Sequence, residues 1–500
     1  MNTTMIFALA TTLTTAALAL AAADPAVAQS AVISPRITSD RRPDYTDLGR
    51  FAQFFRDRGL AGQELAVALF EQLCTVDGGI YHFNEIFEGR HNDYALDNSR
   101  DALKNMNVHN HGFCGIQGPV LEGVFRAAGF DARSFSVPAW SHVATEVFYD
   151  DAWHYFDLDL RGALYRPDGV IASAEEARRD PNLWAHPTRT TTPFFPKVNP
   201  KTRGQAMFAK QPLDYQYHWA VSGWTADYVL RPGESLTRWW RNQQGRWHHY
   251  AGYTDWMRRL LEQEPRGIKP NNAEFSIWGV GSALLEYRPI LTDQADDLRQ
   301  GAYAIDNLTT NPAGLTTAKP GKGSVTFEVL SPYIITPIMD DLDDPDNAAL
   351  NRDGATVMLD ADGVIAAELS TDGGLAWRPL QTPANKTRLD LTPHVRGTYR
   401  YLLRLTLDGR PGQVVLKSLE LRTWGQVAPI SLPTVARGKN TFTLGVNDSR
   451  GLPTRLLPIL PDLLNEADIK THGLTVAGAL NADPYNRLVG DLIVPVQAPP

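Results

Sequence analysis

Cysteine is nearly absent from this chain: Cys74 and Cys114 are the only two in 500 residues. A disulfide scaffold is therefore excluded as the main source of stability, because it needs several bridges. One bridge at most can form, and a Cys74–Cys114 bridge would block Cys114 as a nucleophile. An excess of basic residues is also missing. Lys and Arg number 48 against 56 Asp and Glu, a formal net charge of −8. That balance argues against a nucleic-acid binder, whose footprint is a basic patch. Beyond residue 28 no run is long and apolar enough to span a bilayer, and no solenoid-like repeat is present.

What is there is ordinary globular composition, with 43% hydrophobic and 21% charged residues. At about 150 residues per domain the length predicts two to four domains. Twelve Trp and seventeen Tyr are a high aromatic load; the surplus over core needs fits a sugar or peptide cleft. The first 28 residues read as an export signal. Met5 to Ala23 is apolar and Thr-rich, and Ala26-Val27-Ala28 is a small-residue cleavage site, although Lys and Arg are missing ahead of the run.

Two helical patterns follow at 45–55 and 62–74. In the second, Leu65, Val67, Leu69, Phe70 and Leu73 predict one buried stripe that also takes in a reduced Cys74. A third helix starts at Cys114, with apolar residues at Ile116, Val120, Leu121, Val124, Phe125 and Ala128. Pro119 suits only its first turn, and Gly129 its stop. A helix start carries partial positive charge and unpaired N–H groups, which favour thiolate, the nucleophilic form. The period then changes to two. Strands are expected at 132–137, 142–149 and 153–160, with Asp150-Asp151 as a tight turn.

A hairpin on that turn pairs residues whose numbers sum to 301. His142, Asp157 and Asp159 then share one face. A carboxylate could orient the imidazole while the imidazole takes the thiol proton. The hairpin alone does not decide between Asp157 and Asp159. Nearby, His109, His111, Gln117, Trp140 and Tyr149 are expected to line the cleft. Gln117 is also a possible oxyanion donor, beside the more usual backbone N–H groups. A His-x-His-x-x-Cys metal site is conceivable at 109–114, but with no second Cys nearby neither metal nor cofactor is expected.

The order and surroundings resemble the transglutaminase-like superfamily. The matching residues are Cys114, then Gly129-Phe-Asp-Ala-Arg133, then His142 with Glu146-Val147, then Trp153 to Asp157. The resemblance covers about residues 60–165. It implies a papain-like core with Cys114 as nucleophile, His142 as base and Asp157 as orienter. The chain departs from the pattern after the histidine, where His142-Val-Ala replaces His-Ala-Trp and Trp140 stands just before.

Further along, residues 191–318 are rich in Trp and Tyr, with an aromatic and basic run at 239–250. That run reads either as a sugar-stacking surface or as the core of a folded β-domain. Residues 319–430 alternate like an antiparallel sandwich. They contain one Asp-box pattern, Ser370 to Trp377, of the kind that stabilises a hairpin. The expected fold is thus α+β: signal peptide 1–28, transglutaminase-like domain 29–190, Trp/Tyr-rich β segment 191–318, sandwich 319–430 and a segment 431–500 without assigned role. The expected activity is acyl transfer by a secreted or periplasmic thiol enzyme on a peptide or glycopeptide amide. The alternatives are a polysaccharide lyase or hydrolase using the same cleft, with His109, His111 or Tyr149 as acid or base, and a non-catalytic glycan- or protein-binding scaffold.

Overall fold

The computed structural model describes residues 32–74, 80, 100–110, 112, 114–137, 142–185, 187–189, 212–215, 220, 222–239, 281–338, 349, 351–381, 386–433, 441–446, 457–459, 475–482 and 488–493. The expected signal peptide and residues 240–250 lie outside them. Helices and antiparallel sheets together make the fold α+β.

Helix α1 (Leu48–Arg56) is opened by Asp47, whose carboxylate accepts the Arg50 N–H at 2.8 Å. Helix α2 (Gly62–Cys74) buries Leu65, Leu69, Phe70, Leu73 and Cys74, as its stripe predicts, while Val67 is only half-buried. Both cysteines are buried and unbridged. A short helical turn and a π-helical turn, Asn105–His109, then lead toward helix α3 (Cys114–Ala127).

Pro119 sits at the sixth position of α3, deeper than its type usually tolerates. Its missing N–H frees the Gly115 carbonyl four residues back, and the Arg100 guanidinium donates to that oxygen at 3.0 Å. Gly118 lets the helix approach the sheet, since a Cβ there would lie 2.9 Å from Val143. Gly129, at φ +81, ends the helix as expected, and the Phe130 N–H returns to the Phe125 carbonyl at 3.1 Å.

Against α3 lies a five-stranded antiparallel meander in sequential order: β1 (Asp131–Val137), β2 (His142–Tyr149), β3 (Ala152–Asp157), β4 (Gly162–Leu164) and β5 (Pro187–Arg189). The β2–β3 turn puts both Asp150 and Asp151 at positive φ, the two-residue geometry expected there. Thr145 pairs Phe156 and Tyr149 pairs Ala152, so the predicted register is observed. Strand β3 stops at Asp157, short of residue 160, because the Asp157 carboxylate accepts the Leu160 N–H at 2.8 Å and turns the chain. The helix face of the sheet is also tied by polar groups. Buried Glu122 accepts the Ser134 N–H and hydroxyl at 2.9 and 2.7 Å, and the Thr145 hydroxyl donates to the Gly118 carbonyl.

The C-terminal half forms a two-sheet β-sandwich with one apolar core, built from residues such as Leu285, Phe327, Val357, Leu403 and Leu421. Its larger sheet includes Glu234–Trp239 and Gly281–Tyr287, which pair in turn onto Val415–Val427. The expected boundary near residue 318 therefore falls inside the sandwich. Long-range pairing recruits strands from the Trp/Tyr-rich segment, which local composition does not reveal. Residues 431–500 also contribute: Phe442–Val446 pairs antiparallel with Pro35–Ser39 near the start of the described chain. No helix among the described residues is long and apolar enough to cross a membrane.

The sandwich reaches the π-helical turn directly. The Ala428 N–H donates to the Asn107 carbonyl at 2.8 Å, and the Gln426 amide to the Val108 carbonyl at 2.9 Å. Val108 packs with Val427, Ile334 and Leu432.

Candidate active site

Cys114 is the first residue of α3, and the path to it is tightly constrained. Asn110 adopts a left-handed conformation at φ 56, and a Cβ on Gly112 would lie 2.6 Å from the Ile116 side chain. His142 is the first residue of β2 and Asp157 the last of β3. One helix start and two strand ends thus converge.

The His142 Nε2 lies 2.7 Å from Asp157 Oδ2. The same carboxylate accepts the Tyr155 hydroxyl at 2.7 Å and the Leu160 N–H at 2.8 Å. Asp157 is thus held on three sides while almost fully buried. The Cys114 sulfur lies within 4.8 Å of the His142 ring and is electrostatically coupled to it. With Nε2 engaged by Asp157, Nδ1 is the nitrogen left for sulfur. Burial alone would lower the His142 pKa. The Asp157 charge and hydrogen bond outweigh it, joined by Cys114, and hold the group well above its usual value. The imidazolium is therefore favoured between a carboxylate and the sulfur. Tyr155 is pushed well above its ordinary pKa by burial and by Asp157, so it stays a hydroxyl donor.

Asp159 stands on the thiol side. Its Oδ2 is 4.0 Å from His142 Nδ1 and its Oδ1 accepts the Gln117 amide at 3.3 Å. Ligating atoms of Cys114, His142 and Asp159 lie within 4.8 Å of one another. The choice the hairpin left open resolves by strand length. Asp157 is still in β3 and lies 2.7 Å from the imidazole, whereas Asp159 lies within the turn that Asp157 itself caps.

The other expected site residues fare differently. Gln117 is buried, and its amide nitrogen is committed to the Gly112 carbonyl at 2.5 Å and to Asp159, so it positions neighbours and has no donor left for an oxyanion. Tyr149 is not brought to the site. It lies at the far end of β2 and, seven residues from His142, on the opposite face. There it packs in the α-helical core, stacked on His154 at 3.7 Å with its hydroxyl toward Gln63. His109 is buried at the end of the π-helical turn and does not line an open cleft. His111 and Trp140 lie outside the described residues. Tyr155 went unnoticed in the sequence, although two-residue spacing from Asp157 puts it on the same face. The Asp box closes on itself, Ser370 to Asp372 at 2.7 Å and the Gly374 N–H to Ser370 at 2.9 Å, which is a hairpin-stabilising role. Of the aromatic and basic run, only Trp239 is described, stacked on Trp424.

No family model, curated protein or solved structure matches the chain.

Proposed function

We propose that this protein is a thiol-dependent acyl-transfer enzyme of transglutaminase-like type, exported from the cytoplasm and acting on an amide of a peptide or glycopeptide. The observation that supports the reading is a buried group at a helix start: the Cys114 thiol within 4.8 Å of the His142 ring, whose other side is hydrogen-bonded to Asp157. A function cannot be taken from fold alone, so the site carries the argument.

In the proposed mechanism, His142 takes the thiol proton and Cys114 Sγ attacks the amide carbonyl carbon. The C=O pair moves to oxygen, and backbone N–H groups at the start of α3 hold that charge. The oxyanion collapses, the C–N bond breaks, and His142 returns its proton to the departing amine. Water or a second amine then attacks the thioester carbonyl, with His142 as base, and releases the thiol. Asp157, steadied by Tyr155 and Leu160, keeps the ring aimed throughout. The polysaccharide alternative finds less support, because Tyr149 sits on the opposite face of β2 from His142 and His109 is fully buried.

The test is an activated ester such as p-nitrophenyl acetate, followed by peptide mapping. An acetyl adduct on Cys114 that is lost in His142→Ala is expected. No adduct on Cys114, with alkylation by iodoacetamide no faster than that of a free thiol, would sink the proposal.

A further inference from the structure

The geometry points to a metal site made of Cys114, His142 and Asp159, which takes one dication of the zinc class and masks the thiol. Binding stands on the geometry alone, and only its inhibitory consequence rests on the thiol reading above.

The donor set selects the ion. Thiolate and imidazole are ligands for zinc and its neighbours, whereas calcium and magnesium want oxygen throughout. Thiolate and carboxylate together neutralise a dication, which matters where all three side chains are buried. The spacing is close to what an ion requires. Zinc bonds of about 2.0–2.3 Å put ligand atoms roughly 3.2–3.8 Å apart, and these lie within 4.8 Å before any ion draws them in. Three protein ligands leave a fourth tetrahedral position open.

The surroundings are also those of a metal centre. A ligating histidine commonly donates its other ring N–H to a carboxylate, and ligating carboxylates are themselves hydrogen-bonded. His142 Nε2 lies on Asp157 at 2.7 Å, which directs the Nδ1 lone pair into the cluster. The Gln117 amide holds Asp159 Oδ1 at 3.3 Å, leaving Oδ2 on the His142 side. Both supporting contacts exist without the ion. On binding, the thiol and the imidazolium release their protons to solvent, so that sulfur binds as thiolate and the ring neutral, and the carboxylate needs no change. Metal and acyl group compete for the same sulfur lone pair, so an occupied site is an inactive one.

The experiment titrates zinc into the metal-free full chain against a chromophoric chelator, while iodoacetamide reads Cys114 by peptide mapping. One zinc per chain and protection of Cys114 from alkylation are expected. Cobalt should give a thiolate charge-transfer band that Cys114→Ala removes, and Asp159→Asn should weaken zinc at least about tenfold. Folding of each variant is checked by circular dichroism, and the protection assay needs no variant at all. Rapid alkylation that zinc leaves unchanged overturns the metal site and spares the thiol mechanism. Zinc bound at Cys114 in a protein whose metal-free thiol is inert supports the metal site and removes the thiol mechanism. Wild-type zinc affinity in folded Asp159→Asn overturns the three-ligand assignment.

Discussion

The α/β unit around Cys114 and the β-sandwich bury different things. Among the described residues, every buried Asp, Glu, Lys, Arg or His lies between Asp101 and Arg161, including Lys104, Glu122, His142, Glu146, Asp157 and Asp159. From Ser282 onward the buried polar residues are Ser, Thr, Asn and Gln alone. A buried charge is costly unless paired. The sandwich keeps pairs such as Arg404 with Glu368 partly exposed, and its well-buried carboxylate, Glu234, is paired with Arg231 at 3.1 Å. The first unit bears that cost, and three of its charged groups, His142, Asp157 and Asp159, gather where a helix start meets two strand ends. Clusters of that kind mark functional sites more often than chance. On the proposed function, the chemistry belongs to the unit around Cys114, and the sandwich contributes an apolar core.

The largest expected effect is on that chemistry. Asp157→Asn should slow Cys114 alkylation by about two to four orders of magnitude, because the ring loses its fixed orientation. Stopped-flow labelling at neutral pH measures it, and a rate within threefold of wild type would mean Asp157 is only a strand-end residue. The sandwich should answer in the opposite currency. Leu403→Ala removes a fully buried side chain and should cost about 2–5 kcal/mol in urea unfolding, with native Cys114 labelling unaltered. A folded Leu403→Ala protein that lost Cys114 reactivity would show the two regions to be coupled, through the strand end that holds Asn107 and Val108.

Tyr155→Phe should be intermediate in both assays. It leaves Asp157 short of one donor, worth about 1–3 kcal/mol of stability, and labelling should slow by roughly an order of magnitude if the hydroxyl helps aim the ring. Loss of stability with an unchanged labelling rate would assign Tyr155 to packing alone.

The smallest effect concerns the second thiol. Burial pushes Cys74 from 9.0 to about 12, against the opposing pull of Arg161. The folded state thus holds its proton longer than the unfolded chain. Stability from this group is intact below about pH 9 and declines as pH rises toward 12, by at most about 1.4 kcal/mol per unit. Urea midpoints between pH 9 and 10 should fall less steeply in Cys74→Ala than in wild type. At pH 8, native protein should label at Cys114 only and unfolded protein at both thiols. Equal labelling of both in the native state would contradict the buried position of Cys74.

Much of this was written locally in the chain. The helix stripe through Leu65, Leu69 and Leu73 follows from a period near 3.6, and the β2–β3 register follows from the Asp150-Asp151 turn. The face shared by His142 and Asp157 then follows from a period of two. The same parity rule, applied to Tyr149, already places it on the other face from His142, and it picks out Tyr155 beside Asp157. The boundary expected near residue 318 misled in another way, since composition does not say which sheet a strand such as Gly281–Tyr287 will join.

Sequence by itself determined the helices, the hairpin and the order Cys, His, Asp, because backbone sterics and apolar periodicity act over a few residues. Tertiary structure decided the rest. Asp157 was chosen over Asp159 by where β3 stops. Pro119 was accommodated by Arg100, nineteen positions earlier in the chain. Gln117 was turned from a possible donor for substrate into a support for Asp159. Each depends on groups brought together by packing a helix end against a sheet end, and no local periodicity encodes such a meeting.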